Sequence, residues 1–299
     1  MPSGESAVLK ERPKVKKRIK WKSGLLRALL YVVIILFGVT FAFPFFLTLM
    51  NSLKPLTASV GLSQIIPSEF HWENYYYAVT LIPFFKYLLN SLIIVAIVVP
   101  MCTIINMVIG YAFARLRARG KDVMFVIVLS TMMIPGIVTM IPQYILYNVL
   151  GITDTFFIYV LGNIGGGAYN IFLFKQFFSA MPGELEEAAK IDGAGTLQTI
   201  FRIFAPAAKP VIIIVAIGAF QGAWGDYMTP FMYFSPEKYP LAMALFGSVS
   251  YSMPGAPPGM VYEPLINAAA ILMTIPPIIG FFFTQKHIVQ GVVTTGLKG

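Results

Sequence analysis

Charge is scarce in this chain of 299 residues. Asp, Glu, Lys and Arg make up 12% of it and hydrophobic residues 57%, with a mean hydropathy of +0.75. A soluble domain carries about 25% charged residues, so a water-soluble globular protein is excluded. Cysteine occurs once, as Cys102, which leaves no disulfide framework and no thiol pair for metal or redox chemistry. Inside an apolar run it reads as a small apolar filler. The two histidines, His71 and His287, fall on opposite sides of a membrane in the topology derived below and cannot share a metal ion, and no other ligand cluster exists. No G-x-x-x-x-G-K-[ST] stretch is present, so the chain has no Walker cradle for ATP phosphates. No serine, histidine and acid are placed to activate a nucleophile, which argues against an enzyme. No internal repeat stands out.

What the chain does have is apolar length. Six runs, about Leu25 to Met50, Tyr87 to Ala114, Val123 to Tyr147, Thr155 to Phe174, Val211 to Phe234 and Pro264 to Gln285, each reach the length of a bilayer-crossing helix, roughly 20 residues. Only Arg27 and Asp226 carry charge within them. Barrel strands alternate apolar and polar residues over about 10 positions, a pattern missing here. The fold class is therefore all-α integral membrane with six transmembrane helices. The first run is too long for the apolar core of a cleaved signal peptide and reads as an uncleaved anchor.

Orientation follows from lysine and arginine. With a cytoplasmic N-terminus, nineteen of the 22 basic residues fall inside and only Lys54, Lys86 and Lys238 outside. The positive-inside rule thus places both termini in the cytoplasm of a multi-pass cell-membrane protein. The net charge of +9 is a matter of orientation and anionic lipid, and nucleic-acid binding is not indicated. Residues 1–23 form a basic cytoplasmic tail, disordered or lying on headgroups, ahead of the membrane domain of residues 24–299.

One polar stretch interrupts the apolar chain on the cytoplasmic side, Glu184 to Pro206 within a loop of about 182–206. Pro182 suits a first helical position, and Glu184, Glu186 and Glu187 suit a first turn, whose open N–H groups favour negative charge. The helix should stop near Gly193 and Gly195. Thr196 can cap a second helix with Leu197, Ile200, Phe201 and Phe204 on one apolar face, ended by Pro206. Two short helices in water with an apolar face need a partner.

The spacing Glu187-Ala188-Ala189, Gly193, Ile203 and Pro206, with Asp192 before the glycine, resembles the EAA loop of ABC importer permeases; Ala205 stands where that family usually has leucine. Asn90-Ser91-Leu92, Gly110 to Arg115, Pro142-Gln143-Tyr144, Gly151 to Thr155 and Gln285 to Gly291 are similar to phrases of the carbohydrate-uptake type, the maltose and glycerol-phosphate permeases. The resemblance covers about Pro67 to Gly299. It implies an ABC type I importer permease fold whose coupling helix, carried by Glu187, Ala188, Ala189, Asp192, Gly193, Ile203 and Pro206, docks on a cytoplasmic ATPase. It also implies the partners: a second permease subunit of different sequence, two ATPase subunits holding ATP and Mg, an extracytoplasmic solute-binding protein, membrane lipid and a carbohydrate solute, with no cofactor in this chain. Residues near Thr294 to Gly299 would also reach the ATPase. A permease for a peptide, amino acid or metal chelate, a stand-alone secondary transporter and a membrane enzyme stay as alternatives.

Candidate solute contacts lie in the fifth run, where Gln221, Trp224, Asp226 and Tyr227 interrupt aliphatic sequence. An ionisable group at membrane depth usually faces a cavity or a partner, and aromatic faces beside acids and amides suit a polyol ring. Water at the outer interface or a bond to a second subunit would satisfy Asp226 equally. In the fourth run, Asn163 precedes Gly165-Gly166-Gly167, either a hinge or a tight helix crossing. Pro100, Pro135, Pro142, Pro230, Pro276 and Pro277 are candidate kinks. Between the first two runs, Ile66 to Phe70 and Trp72 to Tyr75 form an aromatic shelf suited to the membrane boundary and to an extracytoplasmic protein.

Overall fold

A computed structural model describes residues 20–57, 61–62, 64–81, 83–248 and 262–296. The tail up to residue 19 and the last three residues lie outside this range, as do the side chains beyond 285. The chain divides into two units, Met1–Leu47 and Thr48–Gly299. Helix α1, Lys20–Ser52, exposes Leu26, Ile34, Phe37 and Phe41 among many apolar side chains, as a lipid-bathed helix does and a water-bathed one does not.

Helices are the only regular elements among the described residues of the second unit. Its axis is α3, Phe84–Arg115, a continuous helix that passes through Pro100 without a break. Three helices are long and apolar enough to span a bilayer alone: Leu26–Ser52 within α1, α3, and Glu263–Gln285 within the last helix. Two of the other three expected spans are bent pairs. Lys121–Met133 (α4) and Gly136–Val149 (α5) turn by 99° at Ile134-Pro135, and Phe157–Ile164 (α6) and Ala168–Ser179 (α7) turn by 49° at the triple glycine. Composition counts apolar residues and cannot see these bends. The fifth run is shorter than expected: Lys209–Trp224 (α10) stops at Gly225, and Met228–Tyr233 (α11) restarts beyond Asp226.

The polar loop holds Glu184–Ile191 (α8) and Thr196–Ala207 (α9), which meets α10 at 88°. Glu73–Thr80 (α2), Leu241–Ser248 (α12) and Glu263–Gly296 (α13) complete the unit. Helices α7 and α10 pack along α3, with α6 and α12 beside them, and α13 lies against α2, α10 and α12. The α3–α7 crossing is so close that a Cβ on Gly110 would sit 2.4 Å from Phe174 Cβ, a distance only glycine allows.

The phrases near the Phe84 end of α3 prove to be fasteners. Asn90, buried, donates to the carbonyls of Glu237 (3.1 Å) and Tyr239 (3.0 Å), and Ser91 Oγ accepts from Leu241 N–H at 2.8 Å. In the shelf, buried Asn74 donates to the carbonyls of Ser52 and Lys54, both at 2.8 Å. Such amides satisfy loop carbonyls that water does not reach.

Candidate coupling elbow and solute cavity

The elbow forms as its local chemistry dictates. Glu184, Glu186 and Glu187 occupy the first turn of α8, and Glu186 pairs with Lys190 at 2.8 Å, an i,i+4 bridge. The helix ends on Gly193 at φ +76, with Gly193 N–H bonded to Lys190 O (3.1 Å) and Ala194 N–H to Ala189 O (2.9 Å). This is a Schellman ending, which a residue with a Cβ would strain. The cap of α9 is Gly195 and not Thr196: its N–H is taken by the Gln198 side chain at 3.2 Å, and Thr196 is the first helical residue. Pro206 does not end α9 either. It sits one residue short of the end, after a wide π turn over Ile200–Phe204 that accommodates the ring.

The apolar face of α9 divides. Ile200 and Phe204 are buried, whereas Leu197 and Phe201 are exposed together with Ile191 of α8. Of the seven coupling candidates, Ala189 is buried, Ile203 is half-buried against the core, and Glu187, Ala188, Asp192, Gly193 and Pro206 lie on the surface. Inside, Phe204 meets Tyr111 at 5.0 Å and Phe178 at 5.5 Å in edge-to-face contacts, with Phe174, Cys102 and Val215 in the same cluster. Cys102 is buried filler, as its setting predicted.

Arg115, at the end of α3, locks this cluster. Its guanidinium lies 5.3 Å over the Phe204 ring and donates to Phe178 O at 2.7 Å and to Met181 O. One cation thus fills orphan carbonyls at the end of α7 and holds an aromatic ring of α9. The sequence alone marked this arginine only as part of a phrase.

Away from the elbow, α5, α6 and α11 line a half-open cavity of about 320 Å³. Asn163 lines it, its amide held by Tyr159 O at 2.8 Å. Asp226 stands behind the wall: its two oxygens accept from Tyr159 Oη (2.9 Å) and Thr229 N–H (3.0 Å). The other candidates point elsewhere. Trp224 is buried and donates to Met273 O at 3.2 Å, Tyr227 stacks on Phe246 at 4.5 Å, and Gln221 is exposed. Sequence reasoning missed Tyr147, Tyr159, Tyr233 and Thr229, because tyrosines inside an apolar run count as hydrophobic. Gln143, in a quoted phrase, donates to Tyr147 Oη at 2.8 Å within the lining.

The triple glycine lies where the span breaks in close contact with α3. Gly166 breaks the span at φ +69, and a Cβ there would lie 2.9 Å from Asn106 Oδ1. That same oxygen accepts from Gly167 N–H at 2.7 Å, so buried Asn106 of α3 fastens the break. On the loop before α6, Asp154 binds Ser235 through N–H (2.8 Å) and Oγ and Lys238 through a 3.0 Å ion pair. The Ser235 backbone N–H above all, helped by the Lys238 and Ser235 side chains, holds its carboxyl below the usual range against the opposing effect of burial. Among the described residues no group of His, Cys, Asp and Glu is arranged to hold a metal.

Bent spans and an elbow with exposed apolar residues, beside a cavity of mixed polar and apolar lining, are the features of a helical membrane subunit that works against a partner. Residues 106–294 match the model of the binding-protein-dependent transport system inner membrane component, and the chain belongs to that family. It is a membrane permease subunit of the ABC transport type and not an ATPase, part of systems that also use ATPase and solute-binding components. The maltodextrin transport system permease protein MdxG of Bacillus subtilis is 34% identical over 212 residues, 70% of this chain and 74% of that protein. The galactooligosaccharides transport system permease protein GanQ of the same organism is 28% identical over 273 residues, 90% and 94% of the two chains. A crystal structure of a bacterial ABC transporter involved in the import of the acidic polysaccharide alginate shares the fold, with TM-score 0.76 and 22% identity over 92% of this chain and 99% of that one.

Proposed function

We propose that this chain is the permease subunit of an ABC importer that carries a carbohydrate, sugar or oligosaccharide, handed over by a solute-binding protein. The elbow carries this reading: a capped α8 and an α9 rooted by Ile200 and Phe204 in the membrane core, with Ile191, Leu197 and Phe201 exposed beyond it. Two cytoplasmic ATPases hold ATP and Mg, and a second permease subunit of different sequence completes the pathway. The nineteen-to-three split of basic residues supports cytoplasmic termini and a cytoplasmic elbow. ATPase closure displaces the elbow, and the helices rooted to it tilt between inward- and outward-facing states. The saccharide class rests on the relatives named for maltodextrin and galactooligosaccharide transport.

The test replaces Gly193 by Trp, and separately Glu187 by Lys, in the complete assembly. Co-purification of the ATPases and transport-linked ATP hydrolysis are measured. We expect both to fall several-fold; wild-type values for both remove the elbow from coupling. Transport by the permease alone in liposomes would instead establish a secondary carrier.

A further inference from the structure

The chemistry of the cavity narrows the solute class, a step that rests on the carbohydrate reading above. We propose that this cavity accepts uncharged, hydroxyl-rich solutes and turns away saccharides that bear carboxylates, with Asp226 and Tyr159 as the specificity-determining pair.

Three observations carry this. First, the thirteen residues lining the cavity include no Lys, Arg or His. A sugar carboxylate taken out of water needs a cation or several aimed donors, and without them its desolvation is uncompensated. Second, the lining donors are neutral, and one on each of three side chains is already committed. Tyr159 gives its O–H to Asp226, Gln143 gives an amide N–H to Tyr147 Oη, and Asn163 gives one to Tyr159 O. Behind Tyr159 stands the Asp226 carboxyl, with both oxygens accepting, and its negative field reaches an anion in the cavity through low-dielectric surroundings.

Third, what remains suits alcohols. The lining rings of Tyr147 and Tyr233 lie tilted against each other, with centroids 5.5 Å apart. The amide oxygens of Gln143 and Asn163 accept from hydroxyls, while tyrosine faces cover a sugar's C–H surface. At about 320 Å³ the space is at the lower end of the ~300–1,000 Å³ of ligand clefts, enough for a short piece of a glycan.

The test uses the complete permease and ATPase assembly in nanodiscs without binding protein, so that the membrane cavity alone reads the solute. Equilibrium binding is measured for radiolabelled disaccharide pairs in gluco, galacto and manno configuration, each pair differing only in a primary alcohol or a carboxylate at C6. The alcohol member is expected to bind about tenfold tighter or more. Asp226→Asn, checked for assembly by co-purification, should narrow that ratio about threefold. Equal binding of both members by the wild type overturns this proposal and leaves the carbohydrate reading standing. A ratio unmoved by Asp226→Asn in an intact assembly overturns the role of the pair. Binding of no saccharide from any pair overturns both this proposal and the carbohydrate reading.

Discussion

The two ends of α3 are built on opposite principles. At the Arg115 end, Tyr111, Phe174, Phe178, Ile200 and Phe204 form a dry, interlocked core, and one guanidinium ties three helices together. Toward the Phe84 end the helices that pack on α3 are short: α6 lies beyond its break from α7, which sits beside Asn106, α10 stops at Gly225, and a cavity of mixed polar and apolar lining lies nearby. A close-packed core moves as one piece, because its contacts have few alternative arrangements. Broken helices with satisfied ends re-aim at lower cost. The proposed function therefore assigns force reception to the packed core and solute accommodation to the interrupted helices.

Hollowing the rigid end gives the largest effect. Phe204→Ala deletes a fully buried ring under Arg115 and should destabilise by about 3–5 kcal/mol. The thermal midpoint of the assembly in detergent reads this, and an unchanged midpoint would show that the elbow is not rooted in the core. Stiffening the broken end comes next. Gly166→Ala puts a Cβ 2.9 Å from Asn106 Oδ1 at φ +69, an effect of about 1–2 kcal/mol for the left-handed backbone alone. Transport per ATP hydrolysed should fall, whereas an unaffected ratio would mean that the break is packing without motion.

How much of this was legible in sequence differs between the same two ends. The elbow obeys local rules, so its acidic first turn, its glycine stop and its buried Ile200 and Phe204 follow from the order of residues. The cap fell on Gly195 because Gln198 reaches back to it, a side-chain choice that spacing does not encode. The cavity depends on bends of 99° and 49° that bring α5, α6 and α11 together, and apolar composition is blind to angle. Four candidates in one short stretch, Gln221 to Tyr227, therefore scattered onto different faces of a chain that breaks at Gly225.

The smallest effect sharpens the comparison at the loops. Asp154, about half exposed, has its carboxyl lowered from an ordinary 3.8, so its contribution is fully present at neutral pH. It is lost as pH falls below 3.8 through the lowered folded value, because the unfolded chain takes up the proton first. Solvent screening keeps the effect modest. The thermal midpoint should therefore drop on acidification more in the wild type than in Asp154→Asn; parallel curves would show that the clasp of Ser235 and Lys238 adds nothing.

Helix α3 runs unbroken from the residues that grip one loop to the residue that grips the other. From Asn90 to Arg115 the rise of about 1.5 Å per residue gives a shaft of about 37 Å. Because Asn90 and Ser91 hold the backbone of Glu237, Tyr239 and Leu241, any rotation of the shaft at its far tip swings that strip of main chain on the opposite membrane face. News of a nucleotide event would cross the bilayer along a single bar, with no relay of loosely coupled side chains between.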